Sequence, residues 1–155
     1  MKKQEFLSIA SRLNKDLHIV PLLYGSLGLE QRLQTDLSAE DIDLLIPEVF
    51  LNEKWDQLVT LMEENGYVLY DLHEHAFEKA GISAAFASLE DLTPFAGVDL
   101  TELPVTEEAG VRYSLLTLQD YLKVYTASSQ DGYRKNVKHK QDGQKIQLIK
   151  KALGI

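Results

Sequence analysis

Two short stretches of this chain carry side chains able to do chemistry. Tyr24-Gly25-Ser26 closes the apolar run from Ile19 to Leu23, and Asp41-Ile42-Asp43-Leu44-Leu45-Ile46 follows. A strand that ends in Gly-Ser and turns into a short helix offers backbone N–H groups and a hydroxyl to a phosphate, and the helix N-terminus favours negative charge there. Side chains alternate along a strand, so Asp41 and Asp43 leave from one face while Ile42 and Leu44 point the other way into a core. Two carboxylates side by side suit hard Mg²⁺ ions that also hold substrate phosphates. Each piece alone has a purely structural reading, since Gly-Ser is a common turn and Asp-x-Asp can be the wet side of an edge strand. Their order on successive elements favours a metal-dependent nucleotide site.

Those elements can be followed along the chain. Phe6, Ile9, Ala10 and Leu13 recur at helical spacing and predict an amphipathic helix over 2–15. His18 to Tyr24 reads as a strand, with Pro21 marking an edge position or a bulge. A short helix over 27–33 and a strand over 41–46 follow. Asn52 is the expected cap of a helix striped by Trp55, Leu58, Val59 and Met62, which Gly66 ends. Strands are expected over 67–72, 75–78 and 82–88, and mostly loop over 90–111. Thr117 should cap a helix bearing Leu118, Tyr121, Leu122 and Tyr125, and a last helix should run from about Tyr133 or Asn136 to Leu153, with Gly143 as a point of interruption. The sum is an α/β chain of the α+β kind: a mixed sheet with helices mainly on one face, then C-terminal helices.

The residues Gly25-Ser26 and Asp41-Ile42-Asp43 resemble the signature of the nucleotidyltransferase fold of the DNA polymerase beta superfamily, in its small bacterial "minimal nucleotidyltransferase" form. Fourteen residues separate Ser26 from Asp41, slightly more than usual, with the excess in the polar stretch from Gln31 to Glu40. The resemblance implies that Asp41 and Asp43 hold Mg²⁺ and that Gly25 and Ser26 grip the terminal phosphates of a nucleoside triphosphate. It implies transfer of a nucleoside monophosphate to an acceptor hydroxyl, on a small molecule, a protein side chain or a transfer RNA end. A third carboxylate usually comes from a later strand in that superfamily. Here the strand Ile82 to Ser88 has no acid, which leaves Glu78, Glu90, Asp91 or Asp99 at or beyond strand ends. The alternative is therefore a catalytically degenerate nucleotide-binding or protein-interaction module, or a toxin–antitoxin component. The basic stretch after Tyr133 resembles the Lys- and Asp-containing helix that follows the sheet in many small nucleotidyltransferases, which would give Arg134 and Lys138 or Lys140 to phosphate oxygens and leave Asp142 to hold a lysine.

Composition sets outer bounds. The 155 residues are 45% apolar and are expected to form one nucleotidyltransferase-like domain, with a sheet core over 1–112 and a helical part over 113–155. With no cysteine, disulfides, thiolate zinc sites and cysteine nucleophiles are excluded, and a cytoplasmic address is expected. No apolar run approaches a membrane span, and Met1-Lys2-Lys3 leads into Gln4 and Glu5 rather than a signal sequence. The net charge of −8 is uneven: residues 30–108 hold nineteen acids and three bases, whereas 134–151 hold seven bases and one acid. An acidic body disfavours nucleic acid and attracts cations, while the basic tail either meets phosphates or solvates a helix. His73 and His75 would share a strand face, a pair that lacks a third ligand at convincing spacing. Walker, Gly-x-Gly-x-x-Gly and serine-elbow patterns are absent.

Overall fold

A computed structural model of the protein describes residues 2–130 and 139–155, without the side chains of 139–141. They form two compact units, one of 1–90 with 104–115, the other of 91–103 with 116–155.

The first unit is a seven-stranded mixed sheet, ordered β3-β4-β5-β2-β1-β7-β6, with helices packed on one face. Helix α1, Lys2–Leu17, turns Phe6, Ile9, Ala10 and Leu13 inward, each fully buried. Burial of each large side chain contributes roughly 1.5–3 kcal/mol, which pins α1 to the sheet. Strand β1, Leu22–Tyr24, runs directly into α2, Gly25–Leu33, and β2 spans Asp41–Ile46. A 3-10 turn, Glu48–Leu51, leads to α3, Trp55–Glu64, whose Leu58, Leu61 and Met62 are buried. Strands β3, Val68–Asp71, β4, Ala76–Lys79, and β5, Ile82–Ser88, complete one flank, and the hairpin of β6, Val105–Glu108, and β7, Val111–Ser114, the other. Two lysine–glutamate–tyrosine clusters tie α1 to the strands. Glu5 accepts from Tyr67 Oη at 2.9 Å and Lys79 Nζ at 3.1 Å, and Glu108 accepts from Tyr113 Oη at 2.9 Å beside Lys3 Nζ at 2.9 Å.

The second unit holds α4, Leu92–Ala96, α5, Leu118–Gln130, and α6, His139–Leu153. Thr117 caps α5 as expected, its Oγ1 accepting from the Asp120 amide at 3.1 Å. Tyr121, Val124, Tyr125 and Ser128 form the buried side of that helix, and Ser128 donates to the buried Asp142 at 2.9 Å.

Four expectations are corrected. Pro21 marks neither an edge nor a bulge: β1 is interior, and Pro21 lies just before it, where its carbonyl accepts the Ser114 amide at 2.8 Å and its lack of N–H leaves no ladder bond unmade. Asn52 does not cap α3. Its side chain donates to the Glu48 carbonyl at 3.3 Å, and Lys54 occupies the N-cap. The stretch 90–111 is not mostly loop but holds α4 and the β6–β7 turn, Pro94 being tolerated because it lies in the first turn of its helix. Gly143 does not interrupt α6.

Candidate functional site

Both chemical motifs meet at one end of the sheet. β1 and β2 run antiparallel with Tyr24 opposite Asp43, so the chain leaving β1 enters α2 beside the start of β2. Gly25 makes that turn at φ +63°, in the left-handed region where a side chain is disfavoured. A Cβ built there would run into Oδ2 of Asp43 and lie 3.2 Å from its Cγ. Only a bare glycine backbone fits against this carboxylate. Helix α2 starts with no side-chain cap from Tyr24 and no acid in its first turn, so its leading amides carry the partial positive charge suited to an anion. Ser26 stands half-buried in that first turn.

Asp41 is exposed and Asp43 half-buried, while Ile42, Leu44 and Ile46 are fully buried in the core. The alternation read from the sequence therefore holds, with a solvent-facing start and an anchored end to the same strand. The loop that delivers Asp41 is fixed by Glu30, whose Oε1 accepts the amides of Leu37 at 2.9 Å and Ala39 at 3.0 Å. The donor set is made of carboxylate oxygens alone, one pair on one strand face, and this chemistry fits a hard divalent cation such as Mg²⁺.

The strand beside β2 supplies no acid. In the parallel pairing with β5, Ser83 stands opposite Asp41 and Ala85 opposite Asp43. Glu78 lies one strand further away, opposite Ser83 on β4, and Glu90 is engaged with the Glu48 amide at 3.0 Å. Asp91 and Asp99 belong to the second unit, where Asp99 accepts from Thr101 and is held below the usual carboxylate range by those bonds. Among the described residues no group of three acids, histidines or cysteines gathers into a metal site. His73 and His75 fall in the turn before β4, and His75 packs edge-on against Trp55 at 5.0 Å. A cleft of about 350 Å³ on α1 and α3, lined by Arg12, Asp16, Asp56 and Glu64, contains none of the motif residues.

Arg134 and Lys138 lie outside the described residues, as does the side chain of Lys140. Asp142, expected to hold a lysine, is buried and hydrogen-bonded by Ser128. Sequence reasoning missed Ser83 and Tyr70, whose hydroxyls are 2.8 Å apart on the Asp41 side of the sheet. The exposed Val68-x-Tyr70 alternation was the one signal for Tyr70. Nothing local marks Ser83 as the neighbour of Asp41.

Comparison with known proteins agrees with this fold. The chain is 50% identical over 149 residues to the uncharacterized protein YnaI of Bacillus subtilis (strain 168), covering 96% of both. No family model matches. The structure is similar to ANT(2'')-Ia, solved in complex with adenylyl-2''-tobramycin, at a TM-score of 0.57 and 16% identity over 97% of this chain and 90% of that one. It is similar to an antigenic nucleotidyltransferase-like protein from Paracoccidioides brasiliensis at a TM-score of 0.61 and 16% identity, over 96% of this chain and 75% of that one. The fold is that of a nucleotidyltransferase.

Proposed function

We propose that this chain, which belongs to the family of Bacillus subtilis YnaI, is a metal-dependent nucleotidyltransferase that moves a nucleoside monophosphate from a nucleoside triphosphate to an acceptor hydroxyl. The observation that carries the reading is the meeting of Gly25 with Asp43, which sets the start of α2 against the strand that bears both carboxylates. The fold neighbour that holds an adenylylated tobramycin supports it.

The roles follow from the side chains. Asp41 and Asp43 would hold Mg²⁺. When bound, that ion neutralises phosphate charge and favours departure of pyrophosphate. Gly25 brings backbone amides to the terminal phosphates, and Ser26 adds a hydroxyl donor at the positive end of α2. The buried half of β2 keeps the carboxylates fixed, so little reorganisation is needed when substrate arrives. The basic stretch with Arg134, Lys138 and Lys140 would add phosphate contacts.

A second reading, a nucleotide-binding module without turnover, is favoured by one observation: Ser83 and Ala85 stand where an acid on β5 would complete the set. Calorimetric titration with several triphosphates, with and without Mg²⁺, paired with a pyrophosphate-release assay, separates the two. Metal-dependent binding with release supports the transferase, binding alone supports the module, and no binding sinks both.

A further inference from the structure

A hydroxyl pair lies beside Asp41 where the nucleotide reading supplies no role for it. Ser83 is in register with Asp41 across the β2–β5 pairing, and its Oγ is 2.8 Å from the Tyr70 hydroxyl. Neighbouring strands are ~4.8 Å apart, so the phenol oxygen is held over the strand adjacent to Asp41, on the face that bears both carboxylates. The pairing of β3 with β4 shifts register between Leu69 and Asp71, which makes Tyr70 the extra residue of a bulge. Bulges re-aim a side chain, and this one sends the phenol inward across β4 to β5. Tyr70 is 56% exposed, on the edge strand of the sheet, with exposed Val68 and Leu72 on either side of it in the chain.

Resting on the reading of Asp41 and Asp43 as the nucleotide site, we propose that Tyr70 is an acceptor, and that the protein transfers a nucleoside monophosphate to its own phenol. The Tyr70 oxygen forms a bond to the α-phosphorus, and the bond from that phosphorus to the α,β-bridging oxygen breaks. Pyrophosphate leaves with the electron pair, and the phenol proton passes through Ser83 to solvent. Three features suit Tyr70 to this role. Its hydroxyl is oriented by a hydrogen bond, as an attacking group must be. Its exposure leaves room for the bulky product. Val68 and Leu72 offer the base an apolar surface on the same edge. Ser83, half-buried on an interior strand, lacks the last two.

The test uses the full chain and its Tyr70→Phe, Ser83→Ala and Asp43→Asn variants, each checked for folding by circular dichroism and for triphosphate binding by titration. Each is incubated with the four ribonucleoside triphosphates and Mg²⁺, weighed intact and mapped by peptide fragmentation. A second readout needs no turnover: acetylation of tyrosines by N-acetylimidazole, with and without Mg²⁺ and α,β-methylene-ATP, which cannot transfer. The parent should gain one nucleoside monophosphate on Tyr70, and the methylene analogue should shield that tyrosine from acetylation. Tyr70→Phe should bind triphosphate like the parent and gain no mass, Asp43→Asn should lose both, and Ser83→Ala should slow modification about tenfold through lost orientation. Triphosphate binding with Tyr70 left unmodified, shielded or not, overturns the inference and leaves the nucleotide site standing. Modification at another residue with Tyr70 bare overturns it equally. No binding of any triphosphate removes the nucleotide site, and the inference with it.

Discussion

Gly25 lies so close to Asp43 that a methyl group on its Cα would overlap the carboxylate oxygen. The contact joins the turn after β1 to the strand that bears both carboxylates. Gly25→Ala should therefore act twice, through left-handed strain of about 1–3 kcal/mol and through displacement of the carboxylate. Expected are a lower urea midpoint and loss of Mg²⁺-dependent triphosphate binding. A variant that keeps full binding would separate the turn from the site.

Asp41→Asn and Asp43→Asn should each abolish metal-dependent binding while the fold survives. Asp41 is exposed, so its replacement should move stability by no more than ~0.5 kcal/mol, and relief of like charge favours a small gain. Thermal melts with and without Mg²⁺ read both effects. Variants that unfold would make these aspartates structural.

Glu30→Ala removes the acceptor of two loop amides and should destabilise by about 1–2 kcal/mol. Because that loop leads into Asp41, triphosphate affinity should fall as well, although Glu30 is not proposed to touch substrate. Glu30→Gln, which keeps an oxygen, should restore much of both. Chemical denaturation and titration of the two variants make the comparison.

The tyrosine–glutamate clusters define a pH window. The hydrogen bond from Lys3, then that from Tyr113, holds the Glu108 carboxyl below its ordinary range, so its contribution is present above ~4.3 and is lost as pH falls through the lower folded value. Burial, then the bond to Glu108, pushes Tyr113 up to about 12. Its contribution is present below ~10 and lost as pH rises toward that folded value. Burial, then Glu5, raises Tyr67 in the same direction. Urea midpoints across pH should fall on both sides, and Tyr113→Phe should flatten the alkaline side. An unchanged alkaline limb in that variant would assign it elsewhere.

Neutralising Arg134, Lys138 and Lys140 together should weaken triphosphate binding most, diphosphate less and monophosphate least, because each phosphate lost removes part of the attraction. Affinities for the three nucleotides at two salt concentrations test this. Values equal to the parent at low salt would assign these residues to solubility.

Periodicity gave the strands Asp41–Ile46 and Ile82–Ser88 with their observed bounds, because each joins a buried apolar alternation to clear punctuation. It failed at β6, an edge strand whose Val105, Glu107 and Glu108 are exposed and whose sequence looks like loop, and at Pro21, whose partner Ser114 lies far along the chain. The same limit applies at the site. Gly25, Ser26, Asp41 and Asp43 were legible because α2 and its short loop keep them close in sequence. Which residues of β5 face them was not, since the register that sets Ser83 beside Asp41 is a property of the pairing and not of either strand.

Strand β2 is paired on one side with β1 and on the other, in parallel, with β5. Parallel pairing closes a long loop before any contact repays the lost chain entropy, so it forms slowly. During synthesis the two carboxylates thus emerge well before the strand that holds them, and β1 waits longer still for Ser114 of β7. A nascent chain that ends before Ile82 would carry Gly25, Ser26, Asp41 and Asp43 while β1 and β2 still lack their parallel partners.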